Sequence, residues 1–77
     1  MQVKIMIFGQ LTDIVDNNVL TLTNIADTNN LVKELNKRYP ALSQARYIIA
    51  VDKQTVTTNT TLLDGSTVAL LPPFSGG

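Results

Sequence analysis

Seventy-seven residues make one small domain, and 44% hydrophobic against 16% charged residues is enough for a compact core. Six Lys and Arg balance six Asp and Glu, so the chain lacks the clustered positive charge that displaces counterions from nucleic acid or holds an anionic membrane surface. It has no cysteine and no histidine, which excludes disulfides and thiolate sites and removes the usual general base near neutral pH.

Val3, Ile5 and Ile7 alternate with Gln2, Lys4 and Met6. That period of two predicts a strand, and its branched side chains suit a pleated surface. Gly9 ends it. Leu11, Ile14 and Val15 fall at helical spacing and predict a short helix within 10–16. Asp16-Asn17-Asn18 is turn chemistry, and Val19–Thr23 reads as a second strand, antiparallel to the first. Asp27, Thr28 and Asn29 are candidate N-caps for the main helix. Leu31, Leu35 and Tyr39 form its apolar stripe with Val32 alongside, and Glu34 and Arg38 are spaced to pair. Pro40 stops that helix, and residues 41–45 are expected to be a connector.

Tyr47–Val51 is a nearly continuous apolar run, expected to be a strand central to a sheet or covered on both faces. Asp52-Lys53-Gln54 predicts a turn and Thr55–Thr57 a short return strand. Residues 58–63 read as a loop with room for one helical turn. Asp64-Gly65 is a turn signal before a last strand over 66–71. The predicted order is β-α-β-α-β-β-β. It describes an α+β fold, a mixed sheet of about five strands packed on one main helix. Residues 1–71 form this body, and 72–77 form a flexible tail.

Conventional catalysis finds little here. Asp13 and Asp16 lie three apart on a short helix and read as a solvated face before a loose cation site. Gly9 stands alone, so there is no phosphate-cradling loop. The many hydroxyls have no histidine to activate them. No catalytic residue and no metal site are expected. The apolar stretch Ile5–Phe8 is far short of the ~18 residues of a membrane span. Met1-Gln2-Val3-Lys4 opens no signal-peptide pattern, so a cytoplasmic location is expected.

Two features point elsewhere. If Val3, Ile5, Ile7, Val68 and Leu70 face the helix, then Met6, Phe8, Ala69 and Leu71 face away, and these too are mostly apolar. A sheet covered on one side alternates apolar with polar. Either a loop covers these four residues or they form a patch for a protein partner. The second feature is the ending, Pro72-Pro73-Phe74-Ser75-Gly76-Gly77. Paired prolines favour an extended polyproline stem, and glycines without Cβ can thread a narrow channel. At ~3.3 Å per residue, a tail of this length reaches roughly 20 Å into a partner.

Ile7-Phe8-Gly9-Gln10-Leu11, the Asp64-Gly65 turn and the ending Leu70-Leu71-Pro72-Pro73-Phe74-Ser75-Gly76-Gly77 resemble the MoaD/ThiS ubiquitin-like sulfur carriers. The Pro-Pro-x-Ser-Gly-Gly ending is most similar to the MoaD branch, the small subunits of molybdopterin synthases. Leu70-Leu71 stands where many members carry aromatics, and Gly9 where many carry Ala. The resemblance implies a β-grasp fold and a non-catalytic sulfur-donating subunit for molybdenum cofactor biosynthesis. It implies that a ubiquitin-activating-type adenylyltransferase uses ATP to adenylate Gly77, which becomes a thiocarboxylate. It also implies that Pro72, Pro73, Phe74, Ser75 and Gly76 insert into the large subunit, with no stably bound cofactor. A ubiquitin-like protein modifier shares the tail and the first step, and carriers for thiamine or tRNA thiolation share the Gly-Gly.

Overall fold

The computed structural model of the chain describes residues 1–73. Its elements are β1 (Gln2–Ile7), α1 (Leu11–Val15), β2 (Val19–Thr23), α2 (Thr28–Arg38), a 3-10 helix (Pro40–Gln44), β3 (Ile48–Val51), β4 (Gln54–Val56) and β5 (Thr67–Leu71). The five strands form one mixed sheet in the order β2-β1-β5-β3-β4. β1 runs parallel to β5, and the other three pairings are antiparallel. The last strand in sequence is therefore the central strand in space. This is the β-grasp arrangement, with α2 lying across one face of the sheet. No helix among the described residues is long and apolar enough to cross a membrane.

Register decides which residues build the core. β1 sets Ile5 opposite Val68 and Ile7 opposite Leu70, and β3 sets Val51 opposite Val68. All of these point to the helix side. Val3, Ile5, Ile7, Val68 and Leu70 are each no more than 3% exposed. Leu31 and Leu35 on α2 close over them and are fully buried. Burial of a side chain of this size stabilises by about 1.5–3 kcal/mol. Tyr39 packs against the same core, partly buried, as the stripe predicts.

The α2 N-terminus is tied to the loop before β5. Asp27 is the N-cap, and its Oδ1 accepts the Asn30 N–H at 2.9 Å. Asn59 reaches in from the loop, its Nδ2 donating to Asp27 Oδ2 at 3.3 Å and its Oδ1 accepting the Asn29 N–H at 2.9 Å. Buried Thr28 accepts the Thr60 N–H at 2.9 Å. These bonds tie 59–61 to the start of the helix, with an isolated Asp27–Thr61 bridge and Leu62 buried. The helical turn allowed for in that loop does not form. Asn30 and Asn59 hold the Asp27 carboxyl below its ordinary 3.8.

Two other elements differ from expectation. Residues 41–45 are largely a 3-10 helix rather than a plain connector, because Pro40 is pre-set for a helical first turn and Leu42 has a core site to fill. The return strand is Gln54–Val56, one residue early. Asp52 and Lys53 both have positive φ, 48° and 73°, so they alone make a two-residue hairpin turn and Gln54 pairs with Val51. β3 lies inside the sheet and not at its edge, as its apolar run suggested.

Candidate functional site: the outer sheet face and the tail root

The side of the sheet away from α2 carries the four residues singled out by alternation. Met6 pairs with Ala69, and both are partly exposed. Leu71 pairs with Ile48 on its other side and is also partly exposed. Phe8 continues β1, its N–H donating to the Leu70 carbonyl at 3.1 Å, and its ring is 40% exposed. No described loop buries these residues, so the covering-loop alternative is not what the described chain adopts.

Register adds three residues that alternation in β1 and β5 could not supply. Val19 stands opposite Met6 on β2 and Ala50 opposite Ala69 on β3, while Ile48 stands opposite Leu71. Ile48 and Ala50 were hidden inside a run that is apolar throughout. The fixed Asp52-Lys53 turn was the signal that could have assigned their side. Across one row the face then reads Val19, Met6, Ala69, Ala50. The two alanines leave a depression of about 340 Å³ bounded by Met6 and Phe8 at one end and by Thr67, Asp52 and Lys53 at the other.

The face is polarised along the strands. Lys4, Thr67 and Asp52 occupy the end where β5 begins, and there Asp52 Oδ1 accepts the Thr67 N–H at 3.0 Å. Phe8, Leu71 and Ile48 occupy the end where β5 finishes. The chain leaves the sheet at that apolar end. Pro72 is partly buried and Pro73 exposed. Proline has no N–H to continue a ladder, so the pairing of β5 stops there. Phe74, Ser75, Gly76 and Gly77, which carry the rest of the expected tail site, lie outside the described residues.

A larger hollow of about 520 Å³ lies beside α2, lined by Val32, Asn36, Leu42, Arg46, Tyr47 and Pro73. Asn36 Oδ1 is the buried side-chain atom without a hydrogen-bond partner among the described residues. The hollow brings together no reactive group. Asp13 and Asp16 are both exposed, and Asp16 ends α1 with φ 60°. No group of three His, Cys, Asp or Glu comes together among the described residues to hold a metal ion. What the arrangement offers chemically is therefore a surface and an outlet: an apolar face with a proline-stiffened chain leaving its edge.

Comparison with solved structures agrees with this geometry. A protein assigned as molybdopterin converting factor subunit 1 from Pyrococcus furiosus superimposes with a TM-score of 0.83 at 24% identity, covering 95% of this chain and 98% of that one. Small archaeal modifier protein 1 from Methanosarcina acetivorans gives a TM-score of 0.82 at 22% identity, covering 99% and 96%. A chain from the complex of subunits 1 and 2 of the molybdopterin-converting factor of Helicobacter pylori gives 0.75 at 24% identity, covering 100% of each. At these identities the likeness is one of fold. A comparison with curated protein sequences found no match. The ThiS family matches residues 5–77, nearly the whole chain, and the protein belongs to that family.

Proposed function

We propose that this chain is a sulfur carrier and serves as the small subunit of a molybdopterin synthase. The observation that carries the reading is the placement of the tail root. The stem that ends in Ser75-Gly76-Gly77 leaves from the central strand at the apolar end of the outer face. A partner seated on Phe8, Met6, Ala69 and Leu71 receives the tail at the same moment. The Helicobacter pylori relative comes from a complex of two subunits, which supports a large-subunit partner here.

The chemistry belongs to the terminus. The Gly77 carboxylate attacks the α-phosphate of ATP on a separate activating enzyme and expels pyrophosphate. A carboxylate is a poor electrophile, and the acyl-adenylate supplies the missing leaving group. A sulfur donor at the sulfide level then attacks the carbonyl carbon and expels AMP. The thiocarboxylate holds a nucleophilic sulfur covalently until the tail delivers it to the pterin precursor for the dithiolene. The chain supplies presentation, so it needs no base of its own. Such a reaction takes place where ATP is available, consistent with a cytoplasmic location.

The test is delivery in a reconstituted system of this chain, the activating enzyme, ATP, a sulfur source and the large subunit. Deleting Gly77 abolishes delivery and leaves the fold intact, because the core is complete within the described residues. Unchanged delivery by the truncated chain sinks the reading. The small archaeal modifier relatives favour a second reading, a ubiquitin-like modifier joined to lysines through Gly77. Isopeptide adducts on other proteins, with no thiocarboxylate, decide for it.

A further inference from the structure

The hollow beside α2 holds an unmade bond and an unpaired charge. Asn36 Oδ1 is buried in its lining and accepts from nothing among the described residues. Ser43 lines the same hollow, but its hydroxyl donates to the Pro40 carbonyl at 2.7 Å. Arg46 is exposed there, and among the described residues the one ion pair is Arg38 with Glu34. The Arg46 guanidinium therefore has no carboxylate among them. Val32, Ala45 and the partly buried Tyr47 make the rest of the surface largely apolar. A carbonyl left without a donor costs the free chain stability, and a donor arriving from outside removes that cost.

Position points to what fills the hollow. Pro73 is part of its lining. Tyr47 precedes Ile48, which pairs with Leu71 on the outer face. The tail root thus stands between two surfaces, the apolar end of the outer face and this hollow. Four residues follow Pro73. A channel that encloses them has a mouth, and the mouth meets both surfaces. We propose that the hollow is a second seat for the partner that receives the tail. The large subunit brings an N–H or O–H to Asn36 Oδ1 and a carboxylate to Arg46. The proposal rests on the carrier reading and extends its interface from the sheet round to the helix side. Arg and Tyr are enriched where proteins meet, in keeping with Arg46 and Tyr47. A seat on each side of Pro73 holds the root from two directions, where the outer face alone holds it from one.

The experiment titrates the purified large subunit with wild type, Asn36→Leu, Asn36→Asp and Arg46→Glu, and unfolds each free chain in denaturant. Asn36→Leu removes the orphaned carbonyl, so the free chain is expected to be no less stable while it binds about 10-fold more weakly. An asparagine with a merely structural role does not give that combination. Asn36→Asp keeps an acceptor in place and is expected to bind more tightly than Asn36→Leu. Arg46→Glu is expected to bind about 10-fold more weakly at low salt, with the loss shrinking as salt screens the charge. Arg46 is exposed, so this variant decides the matter if Asn36→Leu fails to fold. The proposal is overturned if Arg46→Glu, or a folded Asn36→Leu, binds as wild type does. Tighter binding by Asn36→Leu overturns it in favour of the chain's own tail as the occupant. Self-association of wild type that Arg46→Glu abolishes overturns it in favour of a second copy. A wild type that neither binds the large subunit nor acquires sulfur overturns the carrier reading, and the seat falls with it.

Discussion

Where β5 finishes, the two faces of the sheet carry the same kinds of residue in opposite states. On the helix side, Ile5, Val68 and Leu70 are fully buried beneath Leu31 and Leu35. On the other side, Phe8 is 40% exposed, and Met6, Ala69 and Leu71 keep part of their surface. Lys4 and Thr67 make one end of the open face polar, but at the end where β5 finishes both faces are apolar and residue type does not separate them. What separates them is which one α2 covers. The covered face holds the fold together, and the uncovered face is available to a partner.

The sharpest way to break that comparison is to truncate one residue on each face. Ile5→Ala leaves a cavity in the covered face and is expected to cost about 2–5 kcal/mol in denaturant unfolding. Leu42→Ala, in the 3-10 helix, falls in the same range, since Leu42 is 1% exposed. Thr28→Val keeps the shape but orphans the Thr60 N–H, and is expected to cost about 1 kcal/mol. Phe8→Asp, on the open face, is expected to change stability by no more than about 0.5 kcal/mol. The same variant is expected to lose capture of the large subunit in a pull-down. A large loss of stability in Phe8→Asp, with capture retained, would reverse the roles of the two faces.

The smallest effect concerns pH. Asp27 is held below its ordinary value first by the Asn30 N–H and then by the Asn59 amide, and Glu34 below 4.5 first by its bond to Arg38 Nε at 2.7 Å. Carboxyls depressed in the fold contribute stability above their unfolded values and lose it as pH falls through the lowered ones. Thermal unfolding from about pH 5 downward should therefore show an acid limb, flatter in Asp27→Asn than in wild type. Burial raises the Tyr47 phenol above 10.0, so its contribution is present below that pH and is lost as pH rises through the raised value.

Much of this was legible in the residues because the patterns were local. The alternation in β1, the Glu34–Arg38 pair and the Asp64-Gly65 turn each act within a few residues and appear where expected, and of the three candidate caps Asp27, Thr28 and Asn29 it is Asp27 that caps α2. The parity that placed Met6, Phe8, Ala69 and Leu71 on one side needed only the period of a strand. The contribution of Ile48 and Ala50 was not legible, because an unbroken apolar run carries no parity. The path of the 58–63 loop depends on Asn59 reaching Asp27 and Asn29, some 30 positions away in sequence. The close approach of Pro72 to Gly9 was not legible either, because only the parallel β1–β5 pairing brings the two together.

The most direct test of the account is the intact mass of the chain after incubation with ATP, the activating enzyme and a sulfur source. The account predicts a gain equal to sulfur replacing one oxygen, located at Gly77 by fragmentation. An unchanged mass, with the enzyme shown to be active on another carrier, would contradict it.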